Sequence, residues 1–298
     1  MLADNHRKPT VLILGAAGLL GSRLNVFLKS NGYDCITHSL SKPAQYHADI
    51  SDAEQATNLF NIADPDVIIN LVALTDVDKC EREPNKSYLM NVRTVENIVH
   101  WIKTSNKTCH LIHISSDQLY DGLGPHKEND VTLTNYYAFS KYAAEIACGS
   151  VKSTILRTNF FGKSSVKDRS SITDWIYDSA RTGKSIQVFE DIMFAPISIT
   201  TLNKMIGLCI CKQPIGIYNL GSRHGMSKAD FAYFFVRSLG LSSRNMSRTI
   251  TSRVNFLQTY RPKDMRTDSS LFERELGIKL PELADEIKLV AEEYREVT

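Results

Sequence analysis

A tyrosine and a lysine four residues apart form the clearest chemical pair in this sequence. Tyr137 and Lys141 lie in a stretch typical of a helix, and residues at i and i+4 sit one above the other on a helix face. An isolated phenol has a pKa of about 10 and exchanges protons poorly at neutral pH. We expect the Lys141 ammonium to lower the pKa of Tyr137, so that the phenol can act as a general acid or base.

Two serines precede this pair. The apolar run HLIHI predicts a strand, and Ser115 and Ser116 stand at its carboxyl end, the edge at which open α/β sheets bind ligands. Either hydroxyl could donate a hydrogen bond to a substrate carbonyl oxygen beside the tyrosine, and the spacing alone does not choose between them. Turn formation at the strand end is the alternative role for both.

A glycine-rich segment supplies the second chemical signal. Gly15, Gly18 and Gly21 form a GxxGxxG pattern directly after the apolar run VLIL. A helix-like run opens within this pattern with Leu19 and Leu20. The first glycine permits a tight turn, the second lets the backbone approach a pyrophosphate, and the third lets the helix pack on the sheet. Because a helix N-terminus attracts phosphate, the segment predicts a dinucleotide-binding turn.

The residues after the second predicted strand bear on the choice of dinucleotide. NAD sites usually place an acid about 20 residues beyond the turn to bond the ribose 2′-hydroxyl, but this chain has HSLSK there. Ser39 and Lys42 suit a 2′-phosphate, which a carboxylate would repel, so NADP(H) is favoured over NAD(H). Asp49 and Ile50 are assigned to the adenine edge, with a helix-capping turn as the alternative.

The elements that must position these residues follow from hydrophobic periodicity. Short apolar runs alternate with longer amphipathic ones, a pattern typical of βαβ units and a parallel sheet. Strands are predicted at Val11–Leu14, Cys35–His38, Val67–Leu71, His110–Ile114, Thr154–Leu156 and Ile217–Asn219. Helices are predicted at Leu19–Ser30, Asp52–Asn61, Ser87–Ser105, Tyr136–Cys148, Ile172–Thr182, Leu202–Cys211, Lys228–Leu239 and Leu283–Arg295.

Two of these helices carry start signals. Ser51 with Glu54 predicts a capping box for the second helix. Ser227 with Asp230 predicts an N-cap for the seventh.

Together the elements predict an α/β fold, a Rossmann-type doubly wound parallel sheet with a smaller, irregular C-terminal substrate lobe. Residues 1–160 are assigned to the dinucleotide-binding domain, rejoined by strands within residues 186–222. Residues 161–298 are assigned to the smaller lobe.

Composition excludes several other classes of protein. The chain has 298 residues, of which 43% are hydrophobic and 23% charged, as in soluble globular proteins. A net charge of +2 argues against nucleic-acid and anionic-membrane partners, which demand a basic excess. No apolar run is long enough to span a membrane, and the start MLADNHRKPT lacks a signal-peptide core, so we expect a cytoplasmic protein.

The six cysteines show no metal or disulfide pattern. They are irregularly spaced without a CxxC pair and are predicted to be mostly buried small hydrophobes. Cys209 and Cys211 could suggest a metal or redox pair, but one apolar residue between them in an apolar helix favours packing. No metal site is predicted.

Longer stretches resemble the extended short-chain dehydrogenase/reductases and, within them, the dTDP-4-dehydrorhamnose reductase-like family. The likeness covers nearly the whole chain, in GAAGLLG, NLVALTDVDKCEREP, LMNV, ISSDQLYDG, NYYAFSKYAAE, LRTNFFG, APISITTL, IYNLGSRHGMSKADFA and RPKDMRTDSSLF. In that family the hydroxyl residue directly before Asp is catalytic, which selects Ser116. The family commonly has Thr at this position, where this chain has Ser.

The resemblance also implies the neighbours of this group. It assigns Val72, Ala73 and Thr75 to the nicotinamide side of the cleft. It assigns four residues to the sugar: Val77, Gln118, Asn159 and Phe160. Gln118 and Phe160 stand where the reductases often carry Tyr and Trp. These departures bear on which sugar is bound and not on the reaction. Arg261 matches a segment near the nucleotide sugar, and an ordinary surface arginine is its alternative.

The implied activity is NADP(H)-dependent reduction of a 4-keto group on a nucleotide-activated deoxysugar, a step of dTDP-rhamnose and polysaccharide biosynthesis. Tyr137 would supply the proton, Ser116 would bond the carbonyl oxygen and Lys141 would hold the nicotinamide ribose. Superfamily dehydratases carry an Asp-Glu pair where this chain has Asp117-Gln118, which favours a reductase.

Two alternatives remain open. One is another nucleotide-sugar epimerase or reductase on the same scaffold. The other is a non-catalytic regulatory subunit resembling the methionine adenosyltransferase β subunit. The expected partner is the nucleotide-sugar substrate, and a homodimer is possible.

Overall fold

The structure is a computed structural model that describes residues 8–105, 107–167 and 169–295. Its strands are β1 (Thr10–Leu14), β2 (Asp34–Ser39), β3 (Tyr46–His47), β4 (Val67–Asn70), β5 (His110–Ser116), β6 (Ser153–Thr158), β7 (Phe160–Phe161), β8 (Ile186–Phe189), β9 (Met193–Phe194), β10 (Ile197–Ser198), β11 (Gly216–Leu220), β12 (Met226–Ser227) and β13 (Met246–Thr249). Its α-helices are α1 (Leu19–Ser30), α2 (Ala53–Ala63), α3 (Val77–Arg82), α4 (Pro84–Tyr88), α5 (Thr94–Thr104), α6 (Tyr136–Cys148), α7 (Ile172–Thr182), α8 (Ile199–Lys212), α9 (Lys228–Ser238), α10 (Ser270–Leu276) and α11 (Leu283–Arg295). A π-helical turn, Leu89–Arg93, joins α4 to α5.

Seven strands of the described chain form a parallel sheet in the order β3-β2-β1-β4-β5-β6-β11. The chain order reverses between β1 and β4, which opens a crevice at the carboxyl ends of these strands. The predicted Rossmann-type α/β fold is confirmed. The two-residue strands were not predicted, because they are too short for an alternating pattern.

Helices cover both faces of this sheet. Along β1, Val11 and Ile13 pack into a core shared with α1, α8 and α10. Leu12 and Leu14 pack into the opposite core with α2, α5 and α6. Burial on both faces explains why the strand reads as a continuous apolar run.

A second core lies outside the sheet. It is built from α7, α9, α11 and the short strands β8, β9 and β13, with Phe161, Phe231 and Phe235 at its centre. In contrast, α8, β11 and α10 belong to the central sheet and its covering layer. The strand β11 therefore returns to the sheet from residues 216–220, and the boundary near residue 160 stays a prediction.

One predicted helix cap is wrong and the other is confirmed. Asp52, not Ser51, caps α2, because its side chain accepts from the amides of Glu54 and Gln55, while the Ser51 hydroxyl donates to Asp49 at 2.7 Å. Ser227 caps α9 as predicted, accepting from the Asp230 amide.

The cysteines lie mainly in the core. Five are buried, including Cys209, whereas Cys211 is exposed and within 3.0 Å of the Tyr33 hydroxyl. Over the described ranges, no cluster of His, Cys, Asp or Glu is arranged to hold a metal ion. In the same residues, no helix combines the length and apolar character needed to cross a membrane.

Candidate active site

The turn between β1 and α1 has the geometry that its glycines predict. Gly15 adopts a φ of +80°, which a side chain would strain. The amides of Gly15 and Ala16 donate to the His38 carbonyl at 3.1 and 2.9 Å, which ties the turn to β2. A Cβ on Gly21 would lie only 2.5 Å from the Gly15 carbonyl oxygen. The positive φ therefore favours glycine at position 15, and the close approach requires glycine at position 21.

The N-terminus of α1 is open to a ligand. Its N-cap is Gly18, which has no side chain to accept from the first-turn amides. Leu19 and Leu20 line the adjoining cavity. Since the first amides of a helix have no intrahelical partner, this end of α1 presents donors and a partial positive charge to an anion.

A cavity of about 600 Å³ extends from this turn to Tyr137. All the residues assigned to the cofactor line it: Gly15, Gly18, Leu19, Leu20, Gly21, Ser39, Lys42, Asp49, Ile50, Val72, Ala73, Thr75, Tyr137 and Lys141. Of the residues assigned to the substrate, Ser116, Gln118, Asn159 and Phe160 line it. The chain thus brings eighteen residues assigned from sequence to one crevice.

Tyr137 is almost fully buried, with 6% of its surface exposed. Burial raises its pKa to about 12, and the nearby Asp117 charge acts in the same direction, whereas a hydrogen bond with Ser116 opposes the shift. The phenol is therefore protonated at neutral pH.

Lys141 does not lower the pKa of Tyr137, and that expectation is wrong. Its Nζ donates to the Ile114 carbonyl at 2.8 Å and lies 3.4 Å from His113 Nε2. These contacts direct the ammonium to β5 rather than to the phenol. Burial lowers the pKa of Lys141 to about 8. His113 is itself buried, and burial holds its pKa well below the usual value, so it is neutral beside the lysine.

The two serines have different partners. The Ser115 hydroxyl donates to the Glu145 carboxylate, which forms a buried ion pair with Arg157 at 2.6 Å. The Ser116 hydroxyl accepts from the Gln118 amide at 3.1 Å and donates to Asp117 Oδ1 at 3.4 Å, and it lies near the phenol of Tyr137, where it opposes the rise in the pKa of that group. Ser115 thus belongs to a structural network, and Ser116 stands beside the tyrosine.

Asp117 is a buried acid that lines the cavity. The sequence identified it only as part of a motif, with no role of its own. Its carboxylate accepts from Asn159 Nδ2 at 2.8 Å. Burial raises its pKa to about 6, partly offset by the Asn159 hydrogen bond and the Lys228 charge. Lys228, the first residue of α9, was not singled out either. The available signal for Asp117 was a polar residue at the end of a strand. No local signal exists for Lys228, because it is distant from Asp117 along the chain.

Asn91 is a second residue whose role sequence reasoning missed. It lies in the π-helical turn and is fully buried. Its side chain accepts from the Leu74 amide at 2.7 Å and donates to the Leu74 carbonyl and to Ser140 Oγ. It therefore joins the loop after β4 to the helix that carries Tyr137 and Lys141. A lone amide in an apolar helical run was the signal.

Asp49, which the sequence assigns to the adenine edge, lies in the cavity wall and also forms part of the turn before α2. Its carboxylate accepts from the amide and hydroxyl of Ser51 at 3.0 and 2.7 Å. Ser39 Oγ accepts from the Lys42 amide at 3.1 Å, which folds that segment around the crevice.

Val77 and Arg261 lie outside the cavity wall. Val77 packs against Tyr137 from behind. The Arg261 guanidinium pairs with Asp78 at 2.8 Å and donates to the Thr259 carbonyl. Both residues support the site from its outer side, and their contact with a substrate stays a prediction.

Residues 9–296 match the family described as the RmlD substrate binding domain. The chain belongs to this family. The RmlD match spans the sheet, the cavity and the second core together.

Relatives of this RmlD member include named biosynthetic proteins. The spore coat polysaccharide biosynthesis protein SpsK of Bacillus subtilis is 29% identical, covering 80% of this chain and 82% of SpsK. The probable low-salt glycan biosynthesis reductase Agl14 of Haloferax volcanii is 25% identical, over 92% and 95% of the two chains. The dTDP-4-dehydrorhamnose reductase of Escherichia coli K12 is 26% identical, over 91% and 93%.

Solved structures share the fold of this RmlD member. A dTDP-4-dehydrorhamnose reductase from Bacillus anthracis, in complex with NADP, superposes with a TM-score of 0.87 at 24% identity, covering 96% of this chain and all of that one. A hypothetical dTDP-4-dehydrorhamnose reductase from Sulfolobus tokodaii has a TM-score of 0.80 at 30% identity, covering 89% and 94% of the two chains.

Proposed function

We propose that this chain is an NADP(H)-dependent oxidoreductase that reduces the 4-keto group of a nucleotide-activated deoxysugar, as in dTDP-rhamnose and polysaccharide biosynthesis. The observation that carries the proposal is that Ser116, Tyr137 and Lys141 line the same cavity as the glycine turn. The relatives support the same chemistry, since several are dTDP-4-dehydrorhamnose reductases.

The cavity fits a dinucleotide. The close packing of the turn leaves no space for a Cβ at Gly21, and the open N-terminus of α1 suits a pyrophosphate. Ser39 and Lys42 would bind the 2′-phosphate, and Val72, Ala73 and Thr75 would contact the nicotinamide. Bound NADPH supplies the hydride that reduces the carbonyl carbon.

The chain's own residues handle the proton. Tyr137 donates it to the oxygen that becomes an alkoxide, and its raised pKa keeps the phenol protonated until that charge develops. Ser116 donates a hydrogen bond to the same oxygen, which stabilises the developing charge. Both groups must reach one oxygen, and their positions in the wall of one cavity support this arrangement.

Lys141 binds the ribose in this proposal. An ammonium has three donors, of which one is used by the Ile114 carbonyl. A further donor is available to a ribose hydroxyl, and Lys141 lines the cavity. Its role is to position the dinucleotide rather than to ionise the tyrosine.

The sugar side favours reduction over dehydration. Gln118 Oε1 is buried with no hydrogen-bond partner among the described residues, so it can accept from a sugar hydroxyl. An amide cannot accept or release a proton at neutral pH, and the position therefore lacks the second acid–base group that a dehydratase needs.

Purified protein should oxidise NADPH when a suitable 4-keto sugar is added. dTDP-4-dehydrorhamnose is compared with UDP- and GDP-linked 4-keto sugars by NADPH absorbance, and the product is identified by mass and NMR. Activity with one of these sugars supports the proposal and identifies the nucleotide. Absence of NADPH oxidation with all of them, in protein shown to be folded, would overturn it.

A further inference from the structure

We propose that Arg169 is a phosphate-binding residue of the dinucleotide site, contributed by a segment far along the chain from the glycine turn. The inference rests on the proposed dinucleotide site and adds a residue to it. The segment, here called the crossing segment, comprises residues 163–167 and 169–171 and leads from β7 to α7.

The crossing segment is held against α1. The Ser165 hydroxyl lies 2.9 Å from the Ser22 hydroxyl on the first turn of α1. Closer to β7, the Lys163 amide donates to Glu293 at 3.2 Å, and Glu293 also pairs with Arg23 of α1 at 2.7 Å. These contacts bring the segment across the N-terminal end of α1.

The segment ends in a helix cap that fixes its far side. Ser171 caps α7 through a capping box with Asp174, and Asp174 also accepts from the Ser164 amide at 3.1 Å. Arg169 therefore stands between two anchored points, the contact at Ser165 and the cap at Ser171.

Arg169 reaches over the phosphate-binding turn. Its Nη1 lies 3.8 Å from the position that a Cβ on Gly18 would occupy. Arg169 lines the same cavity as Gly18 and Leu19. Its guanidinium makes no hydrogen bond or ion pair with the described residues of the chain, so its donors are available.

Electrostatics explains why a cation at the position of Arg169 would favour phosphate binding. A pyrophosphate linkage carries two negative charges, whereas a helix N-terminus supplies about half a positive charge. The α1 amides and the Arg169 guanidinium border the same cavity beside Gly18, so both would contact a phosphate bound at the turn. A guanidinium can bond two phosphate oxygens at once, which makes it a suitable second contact.

Arg169 and Lys42 should have separable effects. Lys42 lies in the segment after β2, where a 2′-phosphate would bind, and NADH lacks that group. Arg169 lies at the turn, where the pyrophosphate common to NADPH and NADH would bind. Loss of Arg169 should therefore weaken both dinucleotides equally, whereas loss of Lys42 should weaken only NADPH.

The test measures dinucleotide binding without any sugar. NADPH and NADH are titrated into wild type, Arg169→Ala, Arg169→Lys and Lys42→Ala by calorimetry, with Lys167→Ala as the matched control. Lys167 is an exposed cation of the crossing segment that does not line the cavity. Arg169→Ala should raise Kd about tenfold for both dinucleotides, Arg169→Lys should recover part of this loss, and Lys167→Ala should bind like wild type.

Three results would overturn the inference. Unchanged affinity of Arg169→Ala for both dinucleotides would show that the guanidinium does not bind phosphate. A loss confined to NADPH would assign it to the 2′-phosphate instead. An equal loss in Lys167→Ala would reduce the effect to general surface charge. Failure of the proposed function is distinguishable, because these titrations need no sugar. A protein that reduces no 4-keto sugar would still show the loss in Arg169→Ala, whereas a wild type that binds neither dinucleotide would overturn both proposals.

Discussion

Ser115 donates its hydroxyl hydrogen to the carboxylate of Glu145, inside the buried ion pair between Glu145 and Arg157. This bond commits the first serine to holding β5, α6 and β6 together. The adjacent Ser116 lines the cavity together with Tyr137. Two serines that the sequence leaves equivalent by spacing are thus divided between structure and chemistry.

Alanine substitutions should separate these two roles. Ser116→Ala removes a donor to the reacting oxygen, so kcat should fall about 100-fold with the melting temperature nearly unchanged. Ser115→Ala removes a hydrogen bond to a buried carboxylate, which should lower stability by about 1–3 kcal/mol with a smaller loss of kcat. Steady-state kinetics and thermal melts on both variants provide the measurements. The reverse pattern would exchange the roles of the serines.

Replacing the proposed proton donor should abolish turnover but not cofactor binding. Tyr137→Phe removes only the hydroxyl, and general acid catalysis contributes about 10²–10⁴-fold, so kcat should fall by more than 100-fold while Kd for NADPH stays within about twofold. Tyr136→Phe is the control, because Tyr136 does not line the cavity. Retention of more than about a tenth of the wild-type rate in Tyr137→Phe would exclude the tyrosine as the donor.

Charge reversal at Lys42 should change the choice of dinucleotide. Lys42→Glu places a carboxylate where the 2′-phosphate would bind, so Kd for NADPH should rise by at least tenfold while Kd for NADH changes little. Fluorescence titration with each dinucleotide measures both constants. Equal losses for the two would remove Lys42 from the 2′-phosphate site.

Asp117 should make stability depend on pH in the acidic range. Its folded pKa of about 6 exceeds the ordinary value of 3.8, so the native state holds the proton more strongly than the unfolded chain does. The stabilisation from that proton is fully present below about pH 4 and is lost as pH rises through 6. Two pKa units correspond to about 3 kcal/mol.

The neutral variant Asp117→Asn tests this dependence. The free energy of unfolding of wild type and variant is measured with denaturant at several pH values between 4 and 7. The free energy of unfolding of the variant relative to wild type should increase by up to about 3 kcal/mol across that interval. A difference that stays constant with pH would show that Asp117 does not titrate there.

The sequence by itself determined the features that depend on local order. The GxxGxxG turn is readable because backbone φ and the space for a Cβ are set within a few residues, as Gly15 and Gly21 show. The spacing of Tyr137 and Lys141 is readable because helical geometry repeats. Buried strands such as β1 are readable because both of their faces need apolar side chains.

Only the tertiary structure decided which polar groups meet across the chain. It assigned Ser115 to Glu145, turned the Lys141 ammonium toward the Ile114 carbonyl, and brought Arg169 over Gly18. It also gave the α2 cap to Asp52, one residue from the predicted position. Hydrogen bonds and ion pairs depend on side-chain positions that are correct to a few tenths of an ångström. Hydrophobic periodicity carries no information at that scale.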